Sequence, residues 1–271
     1  AREAHKRGIP VIYYISPQVW AWKRGRLRTI AELVRKMLVI LPFETALYDE
    51  AGVDCDYVGH PLLDHIPTVK VNGTLRNRLV IGILPGSRQQ EIQRLLPVML
   101  EVARGIRERY PEAHFVAPCV DAAREAQIRS LTGDFPLHTL VGNTYEVLDA
   151  ARFCLVASGT ATVETALFGV PFVILYKVTN LTYWIARAVV RVDHIGMVNI
   201  LAGKRIVPEF VQHEATAARM LPKALELIDD TEARQQMLED LAKVREVLGG
   251  GGASQRAAEA ILDAIPEEAH G

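Results

Sequence analysis

Along this chain, short runs of mostly apolar residues alternate with longer stretches in which apolar residues recur every three to four positions. Residues 10–15 and 37–41 are runs of the first kind, and 57–59 adds a shorter one. After a break the pattern resumes at residues 79–84, 114–117, 137–141, 153–157 and 172–176. Apolar runs of this length predict strands buried on both faces. The stretch after Arg88 is the clearest helix. Ile92, Leu95, Leu96, Met99, Val102, Ala103 and Ile106 form one stripe, with Arg94, Arg104 and Arg107 off it. Strands alternating with helices predict an α/β fold, a parallel sheet with helices on both faces. From Ala215 onward the pattern is helical, broken by Gly249-Gly250-Gly251-Gly252, which reads as a flexible loop or a hinge.

Residues 66–77 mix Pro, Gly, Asn, Thr and single charges, as a linker between domains does. The expected division is therefore residues 1–66, a linker at 67–78, a complete α/β domain at 79–230 and C-terminal helices at 231–271. The chain opens with Ala1-Arg2-Glu3-Ala4-His5-Lys6-Arg7-Gly8, the pattern of a helix end with a glycine stop. The sequence is thus expected to start inside a domain.

Two strand-to-helix turns carry the candidate chemistry. Leu84-Pro85-Gly86-Ser87-Arg88 follows one apolar run and Ser158-Gly159-Thr160-Ala161-Thr162-Val163-Glu164 follows another. Small residues there let a ligand approach the backbone, and the free N–H groups of a helix start favour an anion. Gly86 permits a tight turn, Ser87 can cap the helix, and the Arg88 guanidinium suits a pyrophosphate. Glu91 stands three residues on, where it can orient Arg88. The turn lacks the Lys-Ser/Thr of a P-loop and the spacing of a G-x-G-x-x-G fingerprint, and an ordinary capped turn with a solvated arginine fits it too. In the second turn Ser158, Gly159, Thr160 and Thr162 supply hydroxyls and backbone donors. The Glu164 carboxylate suits the two hydroxyls of a ribose, because it accepts both protons at once. Its plainer role is to favour the positive end of the helix. Asn199, in an apolar loop, is either a turn-capping side chain or a contact to the ligand's phosphate or sugar.

Composition narrows the classes. The 271 residues are 49% apolar and 23% charged with a net charge of −1, so no global field recruits nucleic acid. No apolar run approaches the ~20 residues that span a bilayer. Cys55, Cys119 and Cys154 form no C-x-x-C pair and read as free thiols. No His/Asp/Glu/Cys spacing suggests a metal site. Trp20-Ala21-Trp22-Lys23-Arg24-Gly25-Arg26-Leu27-Arg28 mixes aromatic and basic residues, as a membrane-surface patch does, or as partly buried tryptophans beside a solvated helix start do. Residues 180–191 place Leu181, Trp184, Ile185, Ala188 and Val189 on one face, which fits core packing or a lipid-binding stripe. His60, before Pro61, is a satisfied structural histidine or a ligand contact.

Six segments, in order and covering nearly the whole chain, closely resemble the lipid-A-disaccharide synthase family. They are Ser16-Pro17-Gln18-Val19-Trp20-Ala21-Trp22, Leu41-Pro42-Phe43-Glu44, Val58-Gly59-His60-Pro61, the two turns above, and Asn199-Ile200-Leu201-Ala202-Gly203. The resemblance implies two facing Rossmann-like domains of the GT-B type and an inverting, metal-independent glycosyltransferase without a cofactor. It implies UDP-2,3-diacylglucosamine as donor, 2,3-diacylglucosamine 1-phosphate as acceptor, and the lipid A disaccharide phosphate and UDP as products. Residues 1–66 would then be the end of the acceptor domain, with Ser16, Gln18, Trp20 and His60 at its cleft, and 79–230 the donor domain. Family members work peripherally at the cytoplasmic face of the Gram-negative inner membrane, and their C-terminal segment crosses back or swaps within a homodimer. The family's general base, an aspartate in its N-terminal stretch, has no counterpart here. No catalytic residue is therefore assigned, Glu44 and Asp64 being the nearest carboxylates by position, and the chain as given is expected to lack synthase activity. Two other readings are a non-catalytic UDP-sugar-binding module and another UDP-GlcNAc enzyme of the same architecture. The Trp-Ala-Trp segment argues against the latter.

Overall fold

The computed structural model describes residues 1–20, 25–66, 75, 78–179 and 194–265. The Ala21 to Arg24 part of the aromatic-basic patch, most of the linker and the 180–191 stripe lie outside these residues. The chain forms two compact units: residues 1–66 with 246 onward, and 67–183 with 193–245.

The first unit is a three-stranded parallel sheet in the order β1-β2-β3, made of β1 (Ile12–Tyr14), β2 (Lys36–Val39) and β3 (Cys55–Tyr57). Ile12 pairs with Lys36 and Met37 with Cys55. The helices α1 (Arg2–Lys6), α2 (Arg26–Leu33), α3 (Glu44–Glu50) and α4 (Leu62–His65) connect and flank these strands. Alternation along β2 builds two cores. Met37 and Val39 pack with Val19, Ile30, Val34 and Tyr48 on one face, while Leu38 turns to the other face with Val58 and Ala257. A sheet buried on both faces reads as an uninterrupted apolar run, which is why β2 was legible.

What covers that second face is the last helix, numbered α12 below (Ala253–Ala264), through Ala257, Ala260 and Ile261. Its seating explains the four glycines. Asp64 accepts backbone hydrogen bonds from Gly252 (2.5 Å), Ala253 (3.2 Å) and Ser254 (2.7 Å), so a distant carboxylate caps the helix start. Arg256 donates to the carbonyls of Val58 and Gly251. Gly59 lies beneath it with φ +91°, where a Cβ would come within 2.6 Å of the guanidinium. The glycine run is thus a fitted junction in this structure. The three N–H groups hold the Asp64 carboxyl down to about 2 from an ordinary 3.8. A depressed carboxylate contributes stability that is complete at neutral pH and is lost as pH falls from the ordinary range through about 2. Asp64→Ala is expected to loosen α12: amide exchange at residues 253–264 should accelerate at pH 7 while β2 stays protected. Unchanged exchange there would show that the cap is dispensable.

The second unit holds a six-stranded, wholly parallel sheet in the order β6-β5-β4-β7-β8-β9. The strands are β4 (Val80–Leu84), β5 (His114–Cys119), β6 (Leu137–Val141), β7 (Ala151–Ala157), β8 (Phe172–Tyr176) and β9 (Glu209–Val211). The helices are α5 (Gln89–Arg109), α6 (Ala122–Thr132), α7 (Thr144–Ala150), α8 (Thr160–Leu167), α9 (Met197–Ala202), α10 (Ala217–Ile228) and α11 (Glu232–Leu248), of which residues 246–248 belong to the first unit. All seven stripe residues of α5 are buried. The five residues of β4 are buried as well. Strand β9 was not expected: it is three residues long and starts with a glutamate, so it carries no apolar run. The three cysteines are free, and burial pushes their thiols up to about 11 for Cys119 and about 12 for Cys55 and Cys154, which keeps them protonated.

Candidate functional site: two turns at the switch point of the sheet

In the second unit the chain builds outward from β4 to β5 and β6, then returns to lay β7 on the other side of β4. Strand order reverses at the β4/β7 pair, where Leu84 lies in register with Val156. In an open parallel sheet the crevice at such a reversal, outside the carboxyl ends of the strands, is where ligands bind. Both candidate turns leave the sheet there. The sequence separates Arg88 from Ser158 by seventy residues, and strand pairing makes their turns neighbours.

In the first turn Gly86 has φ +101°, and a Cβ there would strike the Glu91 side chain at 2.6 Å. The turn needs glycine on both counts. Glu91 explains the tight fit: its carboxylate accepts from the Arg88 backbone N–H at 3.3 Å and from the Arg88 guanidinium at 2.9 Å. The Arg88 side chain is 82% exposed, so a surface pair that contributes little to stability holds a cation in the open. Ser87 is exposed beside it.

The second turn divides its residues. Gly159 and Thr160 are exposed at the start of α8. Ser158 donates to the Ile195 carbonyl at 3.4 Å and so ties the next loop to the turn. Thr162 is fully buried and donates to the Gly159 carbonyl at 2.7 Å. Its hydroxyl closes the turn from within and does not face a ligand, which corrects the sequence reading. Glu164 is half-buried, and burial raises its carboxyl above the ordinary value, partly offset by a hydrogen bond from the Tyr145 hydroxyl at 3.4 Å. Tyr145 stacks on Phe168, ring centroids 5.6 Å apart. Nothing in the local pattern marks Tyr145. It reaches Glu164 only because α7 packs over β4 and β5.

Asn199 is the other correction. Its side chain is fully buried and every polar atom is used. The amide nitrogen donates to the Val207 carbonyl (2.8 Å) and to Glu209 (2.7 Å), and the oxygen accepts from Ile206 and Val207 N–H, both at 2.9 Å. Glu209 also accepts from Ile195 and Gly196 N–H. Asn199 therefore has no bond left for a ligand. With Glu209 it is a bracket that holds the chain before α9 and the chain entering β9.

The four first-unit residues fall into three environments. Trp20 and Ser16 belong to a buried polar cluster. Trp20 Nε1 donates to Glu44 at 3.1 Å and Ser16 Oγ lies 2.7 Å from the Tyr48 hydroxyl. Burial raises the Glu44 carboxyl, with Trp20 and Ser16 lowering it in part. The chain enters this cluster through Ile15 at φ +67°, a strained conformation for a β-branched residue. Gln18 is exposed on the same loop. His60 is buried, which lowers its pKa, and its Nδ1 accepts from the Leu62 N–H at 3.2 Å, so the neutral ring carries its proton on Nε2. Glu44 and Asp64, the carboxylates considered for a base, are both engaged in structure, one in this cluster and one capping α12.

Elsewhere in the second unit a cleft of about 550 Å³ opens against Pro208, Phe210, Leu227 and Met237. It begins at the amino end of β9, whereas both turns lie at carboxyl ends, and it is not the site. Among the described residues no group of three or more His, Cys, Asp or Glu side chains is placed to hold a metal ion.

Comparison with known proteins agrees with this frame. The chain is 45% identical over 275 residues to a lipid-A-disaccharide synthase of Syntrophus aciditrophicus, covering 98% of this chain and 72% of that protein. It is 42% identical over 277 residues to the lipid-A-disaccharide synthase of Geobacter sulfurreducens, covering 99% and 72%. Among solved structures, the UDP-GlcNAc 2-epimerase of Neisseria meningitidis bound to UDP-GlcNAc superposes with a TM-score of 0.63 at 16% identity, over 96% of this chain and 71% of that one. At that identity the likeness is one of fold, an α/β arrangement of Rossmann-like units. The model of the lipid-A-disaccharide synthetase family matches residues 1–264, and with relatives at this level of identity the chain belongs to that family.

Proposed function

We propose that the protein is a GT-B-type glycosyltransferase of lipid A synthesis. In the whole enzyme, 2,3-diacylglucosamine is transferred from its UDP derivative to 2,3-diacylglucosamine 1-phosphate, with inversion and without a metal or other cofactor. The acceptor's 6-hydroxyl oxygen bonds to the anomeric carbon, the bond from that carbon to the UDP oxygen breaks, and the hydroxyl proton passes to a general base, which is not assigned among residues 1–271. The observation that carries this reading is the pairing of the two turns at the β4/β7 reversal, one with an exposed arginine and the other with a half-buried glutamate. Arg88 and the adjoining helix start stabilise the negative charge on departing UDP. Glu164 accepts the ribose hydroxyls. The diacylated substrates call for work at a membrane surface. Among the described residues no helix is long and apolar enough to cross one. We place the protein peripherally at the cytoplasmic face of the inner membrane.

Titration with UDP, uridine and 2′,3′-dideoxy-UDP tests the assignment. Glu164→Gln is expected to weaken UDP and uridine alike, by roughly 1.5–3 kcal/mol for charge-assisted hydrogen bonds, and to leave the dideoxy compound unaffected. Because the Glu164 carboxyl lies above its ordinary value, uridine binding should weaken on acidification before the ordinary carboxylate range is reached, and the Gln variant should lose that dependence. A dideoxy ligand that binds the parent chain as tightly as UDP would remove the ribose role.

A further inference from the structure

The Pro85–Arg88 turn is braced from the side by α6. Arg124, in the first turn of that helix, donates from Nε to the Ser87 carbonyl at 3.2 Å. Gln127, one turn further on, donates from Nε2 to the Gln89 carbonyl at 2.9 Å. Helix α6 follows β5, which pairs with β4, so its start stands at the same carboxyl edge of the sheet as the Ser87 turn. Asp121 caps it by accepting the Arg124 N–H at 2.7 Å. The other charged group near this start, Glu125, is taken up by Arg129 and Thr139.

The two braces differ chemically. Gln127 is a neutral strut. Arg124 is a cation that commits its Nε to the turn, and a guanidinium has five N–H groups in a fixed fork. The Nε bond holds the guanidinium beside the turn before any ligand arrives. Arg88 and Arg124 are therefore both tied to this turn, the first through Glu91 and the second through the Ser87 carbonyl. Two guanidinium groups at one turn suit a dianionic or trianionic diphosphate better than a single phosphoryl group.

We infer that Arg124 is a second cation of the diphosphate site, pinned to the Ser87 carbonyl through Nε and donating to the diphosphate from the rest of its guanidinium. The inference rests on the reading of this crevice as a UDP site. The test is calorimetric titration of the parent chain and of Arg124→Ala, Arg124→Lys and Gln127→Ala with UDP, UMP and uridine. Arg124→Ala is expected to weaken UDP about tenfold or more, UMP less, and uridine less than about twofold. Arg124→Lys should recover part of the UDP loss, since it restores charge without the Nε anchor. Gln127→Ala removes a brace without a charge, so any effect should be equal for the three ligands. Equal losses for UDP and uridine in Arg124→Ala would make Arg124 a strut like Gln127 and overturn the inference, as would an unchanged UDP affinity. A parent chain that binds UDP while Arg124→Ala matches it leaves the UDP reading standing and removes Arg124 alone. A parent chain that binds no UDP removes both.

Discussion

Asn199→Ala is expected to destabilise this protein by about 3–5 kcal/mol, because each buried polar group left without a partner costs ~1–3 kcal/mol. The alanine would strand the N–H groups of Ile206 and Val207, the Val207 carbonyl and one bond to Glu209, all inside a fully buried site. Asn199→Asp should be no milder. The carboxylate keeps the two acceptor bonds but faces Glu209 and the Val207 carbonyl with oxygen where nitrogen donated. Urea unfolding of the two variants beside the parent, compared at constant m-value, measures this. A loss below about 1 kcal/mol in both variants would mean that the loop relaxes and that the bracket between α9 and β9 is not a stabilising element.

For Arg88→Ala the expectation runs the other way, with a large loss in binding and almost none in stability. The side chain is 82% exposed and its ion pair with Glu91 is a surface pair, so unfolding should shift by less than about 0.5 kcal/mol. UDP should bind roughly 10- to 100-fold more weakly, the loss of about 1.5–3 kcal/mol that follows removal of a hydrogen bond to a charged group. Uridine carries no phosphate and should bind as before. Raising the salt concentration should narrow the gap between parent and variant for UDP, because the lost contact is electrostatic and exposed. Equal weakening of UDP and uridine would place Arg88 away from the diphosphate.

These two residues also mark how far the sequence alone reaches. Both were visible as candidates, and the same reasoning, polar groups in a turn or loop beside an apolar run, pointed to each. Arg88 stands exposed in the turn after β4, open to a ligand. Asn199 does not, because its partners are backbone groups at Ile206 and Val207 and a carboxylate at Glu209, in and just before a strand too short and too polar to leave a pattern. Thr162 repeats the lesson at smaller scale: a hydroxyl at a helix start can face outward or close the turn behind it, and only side-chain direction decides.

What the sequence determined by itself is the local order. Buried strands are uninterrupted apolar runs because both faces of a parallel sheet are covered, and β2, β4, β7 and β8 were legible for that reason. The α5 stripe was legible because one face of a helix meets the sheet. What only the tertiary structure decided is adjacency. Nothing local states that β7 returns to pair with β4, that Asp64 caps a helix 188 residues later, or that Arg124 and Tyr145 reach the two turns. Those contacts are set by strand order and by which helix lies over which strand, and both follow from the summed packing of the whole unit, which no window of a few residues contains.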